Sequence, residues 1–309
     1  MEKTGDDQRS FLEVIIHTAI LTLTSILSLA GNSLVCLAFY RNRRLRTITN
    51  FYVLSLAVAD MMMAVFYFPF GAVASSLHKW PFTKCYCHFT SFLGASWAQI
   101  STFTLALASL NRYFCVVKPH RYSTLFTRKK AIISIVALWL FSWALTPLFF
   151  AANPIYEWSP ILLNCRAIFK DERAMRISYL SFGCLFIVPM LLVILCYSSI
   201  HHVIRHHNNA IVPSLQHNNS QATRIQDIKT CRVVFVAVLG FCLCWSPFIS
   251  TMVLQFGFQI PICPSVLSIC FLLTSASAYI NPLIYGVMNQ TMRVEFLKIL
   301  LLRSEWVIL

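Results

Sequence analysis

The stretch Phe51–His78 reads FYVLSLAVADMMMAVFYFPFGAVASSLH and holds a single formal charge, Asp60. An apolar run of about 18 residues or more is long enough to cross a bilayer, because roughly 20 helical residues span the ~30 Å hydrocarbon core. On the N-terminal side of this run Val14–Tyr40 carries no charge, and on the C-terminal side Tyr86–Asn111, Ala131–Tyr156 and Ile177–Ile204 carry none either. The final run, Val233–Met292, is also charge-free and too long for one crossing. The segment Phe258-Gln-Ile-Pro-Ile-Cys-Pro264 divides it into two helices, since proline ends or redirects a helix. The expected fold is therefore an all-α membrane protein, a bundle of seven spanning helices. Residues 1–11 form an extracellular N-terminal tail, 12–288 the membrane domain, and 289–309 a short amphipathic helix with a cytoplasmic tail.

Composition excludes a water-soluble fold. Hydrophobic residues make up 58% of the chain and charged residues 12%, about half the share in a typical soluble domain. The formal charge of +14 would suggest nucleic acid in a soluble protein, but its distribution argues otherwise. Of the 25 basic residues, 17 fall in one set of loops: residues 41–48, 112–130, 201–232 and the C-terminal tail. Only Asp227, Glu295 and Glu305 oppose them there. The positive-inside rule places those loops in the cytoplasm and the N-terminus outside. The basic excess is a topology signal, with contact to anionic membrane lipid expected, and no nucleic-acid partner is expected. The histidines at 206, 207 and 217 lie in a polar loop without a cysteine or carboxylate framework, so they are read as solvated and no metal site is expected.

An ionisable side chain near the bilayer centre costs ~2.5–3.5 kcal/mol on insertion scales and marks function by default. Asp60 is the one carboxylate so placed. Asn32, Ser101, Ser277 and Asn281 are polar residues at similar depth. They could join Asp60 around a hydrated cation or, for Asn32 above all, simply form an interhelical hydrogen-bond knot. Prolines at 69, 147, 189, 247 and 282 kink helices 2, 4, 5, 6 and 7 and free backbone carbonyls. Five kinks suggest a cavity in the extracellular half and a bundle that moves.

The motifs Gly31-Asn32, Leu56-Ala-Val-Ala-Asp60, Asn111-Arg-Tyr113, Trp139 followed by Pro147, Pro189 with Tyr197, Cys244-Trp-Ser-Pro247 and Asn281-Pro-Leu-Ile-Tyr285 occur in this order on successive helices. In this the chain resembles the rhodopsin-like (class A) G-protein-coupled receptors over nearly its whole length. Within them it most resembles melatonin receptors and related orphan receptors, through Asn111-Arg-Tyr113, Phe51–Asp60 and Tyr285-Gly-Val-Met-Asn-Gln290.

The resemblance implies a multi-pass plasma-membrane receptor, not an enzyme, that binds an extracellular small molecule and activates a heterotrimeric G protein, with arrestin as a further partner. It implies a Cys87–Cys165 disulfide; Cys85 competes for the same partner, with Cys263 as its alternative. It assigns the activation switch to Arg112, Tyr113, Tyr197, Trp245, Pro247, Asn281, Pro282 and Tyr285, with Asp227 pairing Arg112 at rest. Asn111 stands where the family usually has an acid, which removes one restraint on Arg112. No cofactor is implied beyond a sodium ion at Asp60, Ser101, Ser277 and Asn281, and the bulk of Trp97 at a position close to that cavity counts against it.

The resemblance also places the ligand among Gly94, Ala95, Ala98, Gln99, Phe248, Ile249, Met252, Phe271 and Thr274. Gly94 stands where amine receptors place an aspartate, so no counter-ion awaits an ammonium. The wall is aromatic and aliphatic, suited to a neutral, largely apolar ligand with one or two orienting hydrogen bonds. Melatonin is not expected, because its polar anchors read Leu148 or Phe149 and Phe169 here. A photopigment needs a lysine seven residues before the helix 7 proline, where this chain has Ser275. The reading from another class is a transporter or channel, which would need more intramembrane charge than one aspartate.

Overall fold

A computed structural model describes residues 9–149, 154–210 and 219–301, except for the side chains of 148, 149, 206–210 and 219–229. Seven helical segments are long and apolar enough to cross a membrane: Phe11–Arg41, Ile48–Ser76, Lys84–Val117, Arg128–Pro147, Glu172–Arg205, Thr230–Gly257 and Pro264–Met288. The first helix, α1 (Phe11–Arg41), opens on a capping box in which the Ser10 hydroxyl accepts from Glu13 N–H while the Glu13 carboxylate accepts from Ser10 N–H. Two otherwise orphaned donors are satisfied there.

The second span is broken. α2 (Ile48–Phe66) and α3 (Phe68–Ser76) meet at Tyr67, whose ψ of -63° at φ -126° departs from the helical path just before Pro69. Proline is tolerated in the first turn of a helix and not in its interior, so the chain starts a new helix instead of kinking an old one. The remaining elements are α4 (Lys84–Val117), α5 (Pro119–Leu125), α6 (Arg128–Phe149), a hairpin of β1 (Ile155–Ser159) and β2 (Asn164–Ile168), α7 (Glu172–Ala210), α8 (Asn219–Met252) continuing into a π-turn at Val253–Gly257, α9 (Pro264–Met288) and α10 (Gln290–Leu300).

Side chains with more than half their surface exposed include Leu195, Leu243 and Ile269, a lipid-facing surface rather than a folding error. The interior is tight: a Cβ added at Gly31 would lie 2.9 Å from the Pro282 ring, so this glycine is what lets α1 approach the proline of α9. α10 buries Met292 and Phe296 against the bundle and leaves Leu297 and Leu300 exposed. That apolar edge, facing away from the protein, fits a helix lying on a membrane surface.

Candidate functional site

The hairpin lies over the outer end of the bundle and is fixed on three sides. Cys165 is bonded to Cys87 of α4, the Ser91 hydroxyl donates to the Cys165 carbonyl at 2.7 Å, and Ser268 of α9 donates to the Ile161 carbonyl at 2.7 Å. Leu163, at a φ of 50° in the tight connection, directs its carbonyl so close to α3 that a Cβ on Gly71 would sit 2.6 Å from it. Cys85 and Cys263 are exposed thiols and form no second bond.

Beneath this lid is a cavity of about 150 Å³. Of the residues expected to face ligand, Gly94, Ala95, Phe248, Met252, Phe271 and Thr274 line it, while Ala98, Gln99 and Ile249 do not. The reason is position along the helix: Ala98 and Gln99 lie one turn beyond the lining residues Gly94 and Ala95, on the same face at ~100° per residue but past the end of the cavity. The Gln99 amide donates instead to the Thr146 hydroxyl of α6 at 3.3 Å. Ala98 and Ile249 pack into the apolar core. Gly94 leaves no space for ligand at its own position, since a Cβ there would meet the Tyr67 ring at 2.8 Å; the helix break at Tyr67 places that ring where amine receptors are expected to have a carboxylate.

Sequence reasoning missed Tyr67, Phe68, Arg166, Tyr179 and Phe182, all of which line the cavity. Tyr179 stacks on Phe256 at a centroid distance of 4.2 Å. Phe169, the residue at one of the expected polar anchors, contributes an aromatic wall. Ser275, at the position a photopigment would fill with lysine, also lines the cavity, and α9 contains no lysine. The side chains of Leu148 and Phe149 lie outside the described residues.

The cavity floor is Trp245. Its indole N–H donates to the Ser277 hydroxyl at 3.1 Å, and its ring stacks on Phe241 and Phe186 at 5.7 and 6.0 Å. Beside it, at 5.5 Å, lies the ring of Trp97, whose Nε1–H donates to Asp60 Oδ1 at 2.9 Å. Asn281 Nδ2 donates to the other carboxylate oxygen at 3.4 Å.

The Asp60 carboxylate already accepts from two donors, an arrangement that argues against the expected sodium ion. Hard cations are held by converging oxygens, whereas indole nitrogen is a donor only and brings its positive end to the oxygen a cation would need. Ser277 donates to the Thr274 carbonyl at 2.7 Å and is taken up by Trp245; the buried Ser101 hydroxyl and Asn281 Oδ1 make no hydrogen bond among the described residues and are the oxygens still open. Asn32 stands apart from Asp60. It bonds the Ser28 and Ala278 carbonyls at 2.8 and 2.9 Å and ties α1 to α9.

At the cytoplasmic end Arg112 is buried and donates through Nη2 and Nε to Asn111 Oδ1 at 2.7 and 3.2 Å. The same oxygen accepts from the Thr49 hydroxyl at 2.9 Å. Asn111 thus holds its neighbour through a neutral amide, without the charge that the family's usual acid would add. The Asp227 side chain, the expected resting partner, lies outside the described residues. Tyr113 sits edge-on to Phe114 at 5.3 Å, and the Tyr197 hydroxyl is buried without a hydrogen-bond partner among the described residues. Tyr285 is buried against Val35, Val53 and Met292, and Pro247 and Pro282 lie inside unbroken α8 and α9.

The model of the seven-transmembrane receptors of the rhodopsin family matches residues 31–285. The chain belongs to that family. It is 28% identical to the melatonin receptor type 1A of Ovis aries over 287 residues, covering 91% of this chain and 76% of that receptor. The melanopsin of Podarcis siculus is 28% identical over 287 residues, 90% of this chain but 60% of its own length. The histamine H2 receptor of Homo sapiens is 29% identical over 290 residues, 91% of this chain and 78% of that receptor. The crystal structure of squid rhodopsin superposes with a TM-score of 0.83 at 24% identity, over 96% of this chain and 87% of that one. The receptor is thus a multi-pass G-protein-coupled receptor, and the transporter and channel reading is set aside.

Proposed function

We propose that the receptor, oriented with its N-terminus outside the plasma membrane, takes a small, largely apolar ligand beneath the hairpin and passes the signal through Trp245 to a heterotrimeric G protein. The observation that carries this is the shared position of Trp245: it is at once the floor of the cavity, a hydrogen-bond partner of α9 through Ser277, and the top of an aromatic stack with Phe241 on α8. A ligand that displaces the indole acts on α8 and α9 together. Activation is a shift between two packings of the bundle, driven only by the ligand's differential affinity for them.

Among the described residues no carboxylate lines the cavity, so a protonated amine finds no counter-charge among them, and neither melatonin nor a Schiff-base chromophore fits the residues at their expected anchors. Sodium is not part of the mechanism: the Trp97 indole takes its place on Asp60. Arg112, Tyr113, Tyr197 and Tyr285 form the cytoplasmic part of the switch, with Asp227 at the base of α8 as the further partner of Arg112. The exposed edge of α10 rests on the inner leaflet, where Arg293 and Lys298 meet anionic headgroups, and the opened cytoplasmic face also receives arrestin. Purified receptor mixed with a panel of G proteins should accelerate nucleotide exchange on at least one of them, and Trp245→Ala should change that rate at matched receptor concentration. No acceleration with any G protein, with or without Trp245, would remove this reading.

A further inference from the structure

Arg166 is the one charged side chain among the residues that line the cavity. It follows the bonded Cys165 directly, so the anchoring of the hairpin fixes its backbone over the opening. Arg166 as a whole is half-buried, and its Nε is buried with no hydrogen bond among the described residues. Glu157 stands opposite it in the hairpin register, but no ion pair joins the two, the described ion pairs lying elsewhere at Arg176–Glu172 and Lys298–Glu295. A guanidinium cannot shed its proton in a protein, and against apolar walls an unmatched donor is costly unless something supplies an acceptor. The walls are aromatic, with Tyr179, Phe182, Phe248 and Phe271 facing the same space. A volume of about 150 Å³ matches one or two rings, since a cavity of that size in another protein holds benzene.

We propose that the ligand is a small aromatic acid. Its ring lies among these aromatic side chains and its carboxylate accepts from the Arg166 guanidinium, the planar fork suited to two parallel hydrogen bonds. This rests on the cavity being the ligand site, and it revises the sequence-based expectation of a neutral ligand. The charge that decides the ligand's chemistry comes from the lid and not from the helices on which that expectation was built.

The test uses matched acid and amide pairs of equal shape: benzoate and benzamide, phenylacetate and phenylacetamide, indole-3-acetate and indole-3-acetamide. Their binding to purified receptor in lipid nanodiscs is followed by equilibrium dialysis. In at least one pair the acid should bind more tightly than the amide. Arg166→Gln should weaken that acid roughly ten- to a hundredfold, the worth of a hydrogen bond to a charged group, and leave the amide unchanged, while Arg166→Lys should restore part of the loss and Glu157→Gln none of it. Equal melting temperatures would exclude misfolding of the variants. Amides binding as well as acids, or acid binding indifferent to Arg166→Gln, would overturn the inference and leave the cavity as the ligand site. Failure of all six probes to bind would overturn both.

Discussion

Replacing Trp97 by alanine should convert a receptor indifferent to sodium into one that sodium stabilises. The indole is buried, donates to Asp60 Oδ1 at 2.9 Å, and packs between Phe68 at 6.1 Å and Trp245 at 5.5 Å. Truncation of a buried tryptophan costs ~3–5 kcal/mol in lost burial and cavity formation, and here it also strips Asp60 of its shorter hydrogen bond. The space left is polar on one side, bounded by Asp60, Asn281 and the unbonded Ser101 hydroxyl, so a hydrated cation can occupy it. An ion present at tenfold its dissociation constant and bound only by the folded form adds RT ln 11, about 1.4 kcal/mol. Thermal unfolding in sodium chloride and in choline chloride at equal ionic strength measures this directly. The wild type should melt at one temperature in both salts. The variant should melt lower in choline and regain part of the loss in sodium, and Asp60→Asn in the same background should abolish the regain. A wild-type receptor stabilised by sodium over choline as much as the variant would refute the reasoning, because the indole and its bond to Asp60 would then not decide whether the ion enters.

Three other outcomes follow from particular contacts. Cys87→Ser should release the hairpin and cost about 2–4 kcal/mol, the usual worth of a disulfide, seen as lowered melting temperature and surface expression with Cys165 open to alkylation; a variant that matches wild type on all three counts would refute the role of this anchor. Asn111→Asp should strengthen the hold on Arg112 through charge-assisted hydrogen bonds and lower basal nucleotide exchange, while Asn111→Ala should raise it at equal expression; no change in either direction would mean that the amide restrains nothing. Gly94→Ala brings a methyl to 2.8 Å from the Tyr67 ring and should cost ~1–3 kcal/mol by overpacking, a loss that Tyr67→Leu should partly relieve in the double variant; additive losses would show that the two residues do not compete for the space.

The seven crossings were legible because charge-free length is a property of sequence alone, and the order of motifs along them carried the family. Residues that act through position on one helix were also legible in part: Gly94 and Ala95 share a face of α4 that lines the cavity. What failed was depth and partnership. Gln99 satisfies the same pattern of a polar residue near the expected site, and only the neighbouring helix decides that it faces Thr146. The split at Tyr67 was read as a kink, since Pro69 signals a disturbance without saying whether the helix bends or restarts. The hairpin carries no alternating pattern to announce it: its strands are five residues each, and Cys165 and the helices around it hold them in place. Arg166 belongs to that hairpin, so its entry into the cavity could not be read from helical periodicity at all. Trp97 was noticed as bulky, but its role required knowing that its ring turns toward Asp60 and not toward lipid.

Two of the buried charged residues, Asp60 and Arg112, are treated alike, and this bears on how the receptor moves. Asp60 is bonded by an indole and an amide, and Arg112 by the amide of its own neighbour; in each case a neutral group stands where the family resemblance led us to expect a cation or an acid. Breaking a buried pair of opposite charges costs several kcal/mol, whereas a hydrogen bond from a neutral group to a charged one is worth about 1.5–3 kcal/mol. The barrier to separating Asp60 from Trp97 is therefore the lower kind, and it does not depend on the concentration of salt outside the cell. Because Trp97 also touches Trp245, a ligand that shifts the floor of the cavity loosens the Asp60 contact in the same motion. In the proposed mechanism, movement of α8 and release of the core carboxylate are then one event, whose cost is set by packing and by hydrogen bonds within the protein.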